Sequence, residues 1–293
     1  MKIQSLSIVI AGGCANSCKF CVSKVTKDKV NFENLMKPEN KQDYIDRLEY
    51  AQVLGANTVI ITGNGEPVMN QKNLQYFFDR NSEMKNPFIN IEIQTSGIML
   101  DDNMLKYLKE NGVKTISLSL SNIFSSGING EINQTPVKYF VDIELLCEKI
   151  KALFNLRLSL NMSIVYTKGY KSSSFSMKYG VNKIFNEARR LGADQLTFRK
   201  LYKSSDDNPV NKWIEENDVS HELWEVLKNY IYENGNALER LPFGALKYSV
   251  DGISTVVDDD CMSKKNAEAV KFLILQTNAK LYTRWDDKGS LIM

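Results

Sequence analysis

Three of the chain's five cysteines, Cys14, Cys18 and Cys21, fall within the run GGCANSCKFCVSK, directly after a short apolar stretch that predicts a first strand. Thiolates are soft ligands, and three of them on one loop suit a metal centre whose fourth coordination position stays open. An open position is a place for a ligand and for chemistry. A zinc site would call for a further nearby Cys or His, usually as a second pair; Cys147, Cys261 and His221 are all distant in sequence. A reactive thiol pair leaves the third cysteine unexplained. With one histidine in the chain, His-rich metal sites and Ser-His-Asp hydrolysis are excluded. His221 lies in a helical stretch and is expected at the surface. Cys147, also on a helix, reads as a small core residue. Cys261 follows the acidic run Asp258 to Asp260 and reads either as an inert loop residue or as a substrate-facing thiol.

The elements that must position this loop alternate regularly. Helical patterns are predicted over Glu39 to Leu54, around Leu74 to Phe78, from Asp101 to Asn111-Gly112, over Val137 to Leu153 and over Val181 to Leu191. Strands are predicted over Thr58 to Thr62, Phe88 to Thr95, Thr115 to Leu120, Leu156 to Val165 and Gln195 to Leu201, with a polar, Gly-containing loop after the fourth. Six strand-helix alternations argue for parallel strands joined by right-handed crossovers. Strands covered on both faces should be apolar throughout, yet the last four alternate. Ile89, Ile91 and Ile93 alternate with Asn90, Glu92 and Gln94; Ile116, Leu118 and Leu120 with Ser117, Ser119 and Ser121. Leu158, Leu160 and Met162 alternate with Ser159, Asn161 and Ser163, and Leu196 and Phe198 with Thr197 and Arg199. The apolar rows must face the outer helices, so the polar rows line a binding lumen. The expected fold class is therefore α/β: a partial (βα)6 TIM-like barrel with a mixed α/β C-terminal extension.

The expected division is 1–202 for the barrel core and 203–293 for the extension, which caps the barrel or its substrate site. SSDDNP reads as a linker, Leu223 to Ile231 as an amphipathic helix, ALKYSVDGISTVVD as a hairpin about Asp251-Gly252, and the last stretch as a second hairpin with a short terminal strand. Net charge is +2, with 43% hydrophobic and 25% charged residues, so no global field recruits nucleic acid or membrane. No apolar run approaches the roughly 18 residues of a membrane span, and clustered thiols fit a reducing cytoplasm. The stretch from Lys168 to Lys212 is basic, a solvated face or a site for an anionic substrate.

The Cys-x-x-x-Cys-x-x-Cys spacing, with Phe20 just before the last cysteine, resembles the radical S-adenosylmethionine (AdoMet) superfamily. The resemblance implies that Cys14, Cys18 and Cys21 hold three irons of a [4Fe-4S] cluster, with AdoMet chelating the fourth. Electron transfer would then cleave the sulfonium to a 5′-deoxyadenosyl radical that abstracts hydrogen from a substrate. GNGEP after the second strand is similar to the family's GGEP loop, Asn64 standing for the first glycine between Gly63 and Gly65, with Glu66 and Pro67 matching. QTSG, which contains Ser96, ends the third strand where many relatives carry TNG. The resemblance places Phe20 near the adenine. Ser119, Asn161 and Arg199 match positions that contact AdoMet in relatives, or are ordinary lumen residues.

Two scattered cysteines cannot hold a second cluster, so a single-cluster enzyme is expected. Because the chain opens on the first strand, no preceding cobalamin-binding or peptide-recognition domain is expected. Arg157, Arg199 and the basic stretch favour an anionic or nucleotide-like small molecule. A peptide or protein substrate, as in a maturase or glycyl-radical activase, is the alternative; nucleic acid has less support. An electron donor such as flavodoxin or ferredoxin is implied. From another class stands a non-catalytic iron-sulfur redox or iron sensor, for which a polar lumen has no use.

Overall fold

A computed structural model describes residues 2–10, 12–24, 41–163, 178–204, 207–241, 245–258, 269–285 and 287–293. The chain forms two compact units, Met1–Ala15, Thr26–Ile116 and Met262–Met293 in the first, Asn16–Val25 and Ser117–Cys261 in the second. Cys261, Asp259 and Asp260, and the start of the basic stretch, lie outside the described residues.

The first unit contains β1 (Lys2–Ile10), α1 (Lys41–Val53), β2 (Thr58–Gly63), α2 (Gln71–Glu83), β3 (Asn90–Thr95) and α3 (Asp102–Glu110). β4 (Val113–Leu120) runs on into the second unit. There follow α4 (Ser126–Asn133), α5 (Ile143–Glu148) prolonged by a π turn over Lys149–Leu153, β5 (Arg157–Ser163), α6 (Lys178–Arg190) and β6 (Gln195–Arg199). Then come α7 (Pro209–Asn217), α8 (His221–Asn234), β7 (Gly235–Arg240), β8 (Leu246–Val250) and β9 (Ile253–Asp258). β10 (Ala269–Leu275) and β11 (Leu281–Tyr282) return to the first unit.

In the first unit β10, β1, β2 and β3 are consecutive parallel neighbours and β11 pairs antiparallel with β10. In the second, β5, β6 and β9 are parallel, and β8 and β7 follow antiparallel. The α/β class with parallel strands is thus the one expected. Two local readings need correction. The polar loop after β4 contains the helix α4. The segment read as a linker leads at once into α7, which the hydrophobic pattern did not mark. The last hairpin is present as β10 and β11, and β10 also pairs with β1 from Lys2↔Ala269 to Ile8↔Leu275.

The alternation within strands is explained by burial. Ile91 and Ile93, Leu158 and Leu160, and Leu196 and Phe198 are at most 2% exposed. In the second unit the polar rows are buried deep in the strands, at Ser117, Ser159, Asn161 and Thr197, and become half-buried at the C-terminal ends, at Ser119, Ser163 and Arg199. That gradient opens the polar face at the end of a parallel sheet where ligands bind.

Candidate cofactor site

In the first unit, β1 and β2 are neighbours, so the loops that leave their C-terminal ends start side by side. The two loops meet backbone to backbone: Glu66 N donates to Gly13 O at 3.1 Å. A Cβ at Gly65 would lie 2.6 Å from Gly13 O and closer still to Gly12 O; one at Gly63 would overlap Ile10 O. No side chain fits at either position, whereas position 64 accepts Asn. Cys14 follows this contact and is exposed.

Glu66 is 3% exposed, and its carboxylate accepts three hydrogen bonds from the end of β3. Thr95 Oγ1 donates to Oε1 at 2.6 Å; Ser96 N and Ser96 Oγ donate to Oε2 at 2.8 and 2.6 Å. The side chain therefore ties the Gly-rich loop to QTSG. Burial pushes its carboxyl above the usual carboxylate range, and the three donors only partly oppose that.

In the second unit α4 and the residues after it hold Asn16, Ser17 and Cys18 of the cysteine loop. Ser125 caps the helix by accepting from Ile128 N. Asn129 and Asn133, one turn apart on its buried face, hold the residues after β4: Asn129 Oδ1 accepts from Ser121 N at 2.8 Å and Asn133 Oδ1 from Ser121 Oγ at 2.8 Å. Asn133 O accepts from Ser17 N at 3.2 Å and from the Cys18 thiol at 3.4 Å. Thr135 Oγ1 donates to Asn16 Oδ1 at 2.7 Å. Within the loop, Lys24 Nζ donates to Ser17 O and Cys18 O, and Cys21 Sγ lies 3.0 Å from Ser23 Oγ. The Phe20 ring stacks on Trp213 of α7, with centroids 5.7 Å apart and planes at 26°. Asn129, Asn133 and Trp213 were not singled out from the sequence.

The remaining expected residues sit on the strands of the second unit. Asn161 donates to Ser117 Oγ. Arg199 ends β6 with its Nε buried and, among the described residues, without a hydrogen-bond partner, 4.0 Å from Asp258 Oδ2 on β9. Arg157 opens β5 at its N-terminal end and is exposed, so it stands away from Arg199. Much of the described basic stretch is engaged in ion pairs: Arg189 with Asp251, Arg190 with Glu187, Lys203 with Glu215 and Lys212 with Asp207. Cys147 is buried, which pushes its thiol up to about 12 and keeps it protonated. Among the described residues no three His, Cys, Asp or Glu side chains stand gathered as a metal site, and no helix is long and apolar enough to cross a membrane.

Parallel strands with three thiols in the loop after the first, and a glycine loop after the second that packs on Gly12 and Gly13, define a class of protein that pairs a metal site with a backbone-lined ligand seat. Residues 8–165, more than half of the chain, match the Radical SAM superfamily, and the chain belongs to that superfamily. A GTP 3′,8-cyclase of Clostridium botulinum (strain Okra / Type B1) is 25% identical over 217 residues, 70% of this chain and 63% of its own length. A biotin synthase of Aquifex aeolicus (strain VF5) is 32% identical over 123 residues, 41% of this chain and 36% of its own. The chain thus spans less than two thirds of the length of either relative. Among solved structures, Streptococcus suis SuiB bound to S-adenosylmethionine covers 96% of this chain and 60% of its own, with a TM-score of 0.60 at 14% identity. Native anSMEcpe with bound AdoMet covers 96% and 74%, also with a TM-score of 0.60 at 14% identity. These two share the fold. The superfamily's members are enzymes that use a [4Fe-4S] cluster and AdoMet. The residues present fit those groups: Cys14, Cys18 and Cys21 are soft donors, exposed or half-buried, and within the first unit Gly63 and Gly65 leave backbone without a Cβ next to the residues that lead into Cys14.

Proposed function

We propose that the protein is a radical AdoMet enzyme that abstracts a hydrogen atom from a small anionic, nucleotide-like substrate. The observation that carries the reading is the contact between the start of the cysteine loop and the glycines of GNGEP. It brings a candidate cluster ligand, Cys14, next to half-buried glycine backbone suited to a charged ligand. In this reading Cys14, Cys18 and Cys21 hold the cluster. Gly63, Asn64, Gly65 and Glu66, with Ser96, form the seat of the methionyl group; Glu66 acts by fixing Ser96 rather than by touching the ligand. Phe20 packs on the adenine. Ser119, Asn161 and Arg199 line the polar face, and the buried Nε of Arg199, which has no hydrogen-bond partner among the described residues and stands 4.0 Å from Asp258 Oδ2, is a donor for an anionic group. Bound together, cluster and AdoMet supply a one-electron cleavage of the sulfonium to a hydrogen-abstracting 5′-deoxyadenosyl radical. The chain's own residues bind, orient and exclude water.

The nucleotide-like class is supported by Arg199 and by the name of the GTP 3′,8-cyclase relatives. A flavodoxin- or ferredoxin-type donor and a reducing cytoplasm belong to the same proposal. The cluster is reconstituted without oxygen, and AdoMet and dithionite are added. 5′-Deoxyadenosine is the expected product, absent from Cys14→Ala, Cys18→Ala and Cys21→Ala. A spectroscopically intact cluster that yields none would sink the proposal and leave the sensor reading. Nucleoside triphosphates are then supplied; a rise in 5′-deoxyadenosine with them, and not with peptides, supports the substrate class.

A further inference from the structure

We infer that Trp213 is a positioning residue for AdoMet: from its helix in the C-terminal part of the chain it holds the Phe20 ring ready to receive the adenine. The inference rests on the AdoMet reading of Phe20 and adds a residue that this reading does not contain. Residues 12–24 include no fully buried side chain. The loop that carries Phe20 therefore has no core of its own to fix the ring. Trp213 supplies that fixation, stacked at 5.7 Å and 26°, a geometry within the favourable range for aromatic pairs. An aromatic ring has two faces, so a partner on one leaves the other for a flat ligand.

Trp213 is itself held firmly. α7 starts at Pro209 behind the Asn208 cap, which accepts from Asn211 N. Asn211 Nδ2 donates to Ser204 O at 2.9 Å, and Ile214, next to Trp213, is completely buried. The helix is thus anchored to the segment that leaves β6, the strand that ends in Arg199. A ring fixed beforehand loses less side-chain freedom when it binds than a loose one. The segment beyond β6 thereby helps to build the cofactor site at its aromatic end.

The test uses anaerobically reconstituted wild-type protein, Trp213→Leu and Trp213→Phe, each first checked for a cooperative melt and for iron and sulfide content. Trp213→Leu keeps an apolar contact but not the stack. It is expected to load its cluster as wild type does and to bind AdoMet roughly three- to tenfold more weakly in equilibrium dialysis. Trp213→Phe is expected to restore the affinity. AdoMet should also change the tryptophan emission of wild type, and that change should vanish in Trp213→Phe, in which Trp224 and Trp285 remain. Wild-type affinity in a fully loaded Trp213→Leu overturns the inference. So does loss of cluster and AdoMet together, because Trp213 would then support the loop as a whole. Failure of the loaded wild type to bind AdoMet overturns the functional reading instead, and the inference with it.

Discussion

Glu66 is a carboxylate committed to structure at the edge of a reactive site. Each oxygen is occupied: Thr95 on one, the backbone and hydroxyl of Ser96 on the other. Glu66→Ala leaves the buried Thr95 hydroxyl and the half-buried donors of Ser96 without this acceptor. It should cost about 3 kcal/mol in denaturant unfolding, since hydrogen bonds to charged groups are the strong ones and orphaned donors are expensive. Glu66→Gln keeps an acceptor for Ser96 and removes the charge that burial penalises, so it should cost little at acidic pH, where Glu66 is itself neutral. The pH dependence has a definite sign. Burial raises the folded-state pKa of Glu66, so between the ordinary carboxylate range and that raised value the folded state binds more protons than the unfolded. Stability contributed by this group is fully present below the ordinary range and is lost as pH rises through the window. Urea titrations of wild type and Glu66→Gln across mildly acidic pH should therefore converge at the acidic end and separate above it, with Glu66→Gln the more stable. Parallel curves would show that Glu66 does not carry the effect.

At the scale of elements, Gly65 tests whether the two loops act as one. A methyl at this position meets the carbonyl oxygens of both Gly12 and Gly13, and backbone cannot give way as a flexible side chain can. Gly65→Ala should leave a folded protein, with a melting temperature within a few degrees of wild type, about 1–2 kcal/mol poorer in stability. It should bind less iron on reconstitution. Unchanged iron content would show that the two loops are independent. Such positions are legible in a sequence because the backbone contact dictates the residue type. The strands were legible because Ile91 and Ile93, or Leu158 and Leu160, bury a regular apolar row. α4 was not legible: its buried face is made by Asn129 and Asn133 as well as Ile132, and two of its eight residues are glycine. A hydrophobic period does not register a helix whose inward face is amide. α7 carries clear start signals in Asn208 and Pro209, but they end a polar run that reads as linker. β7 is almost wholly exposed and has no alternation to read. Trp213 meets Phe20, and Asn133 meets Cys18, across sequence separations that no local pattern spans.

For the whole molecule the decisive contact is between β1 and β10, strands from the two ends of the sequence. β10 lies parallel against β1 over seven residues of each, with Leu273, Ile274 and Leu275 fully buried. Phe272 and Ile274 pack with Val9 and Tyr282 into an apolar cluster on which Trp285 rests. Burying three such side chains stabilises by about 6 kcal/mol, of the same order as the net stability of a whole domain. Removing them also opens an edge of β1 whose buried residues Leu6, Ile8 and Ile10 would be left beside unpaired backbone. A chain that stops at residue 268 is therefore expected to aggregate, or to lose cooperative melting, rather than to fold without a cap. Because β1 leads directly into Gly12, Gly13 and Cys14, such a chain should also fail to take up iron. Supplying residues 262–293 as a separate peptide should recover part of the soluble fraction, since the strand it restores is continuous. A soluble 1–268 chain that melts cooperatively and loads its cluster would show that β10 only covers a fold already complete. The parallel register from Lys2↔Ala269 to Ile8↔Leu275 argues against that outcome, because it makes β10 the partner that gives the strand ahead of the cysteine loop its second neighbour.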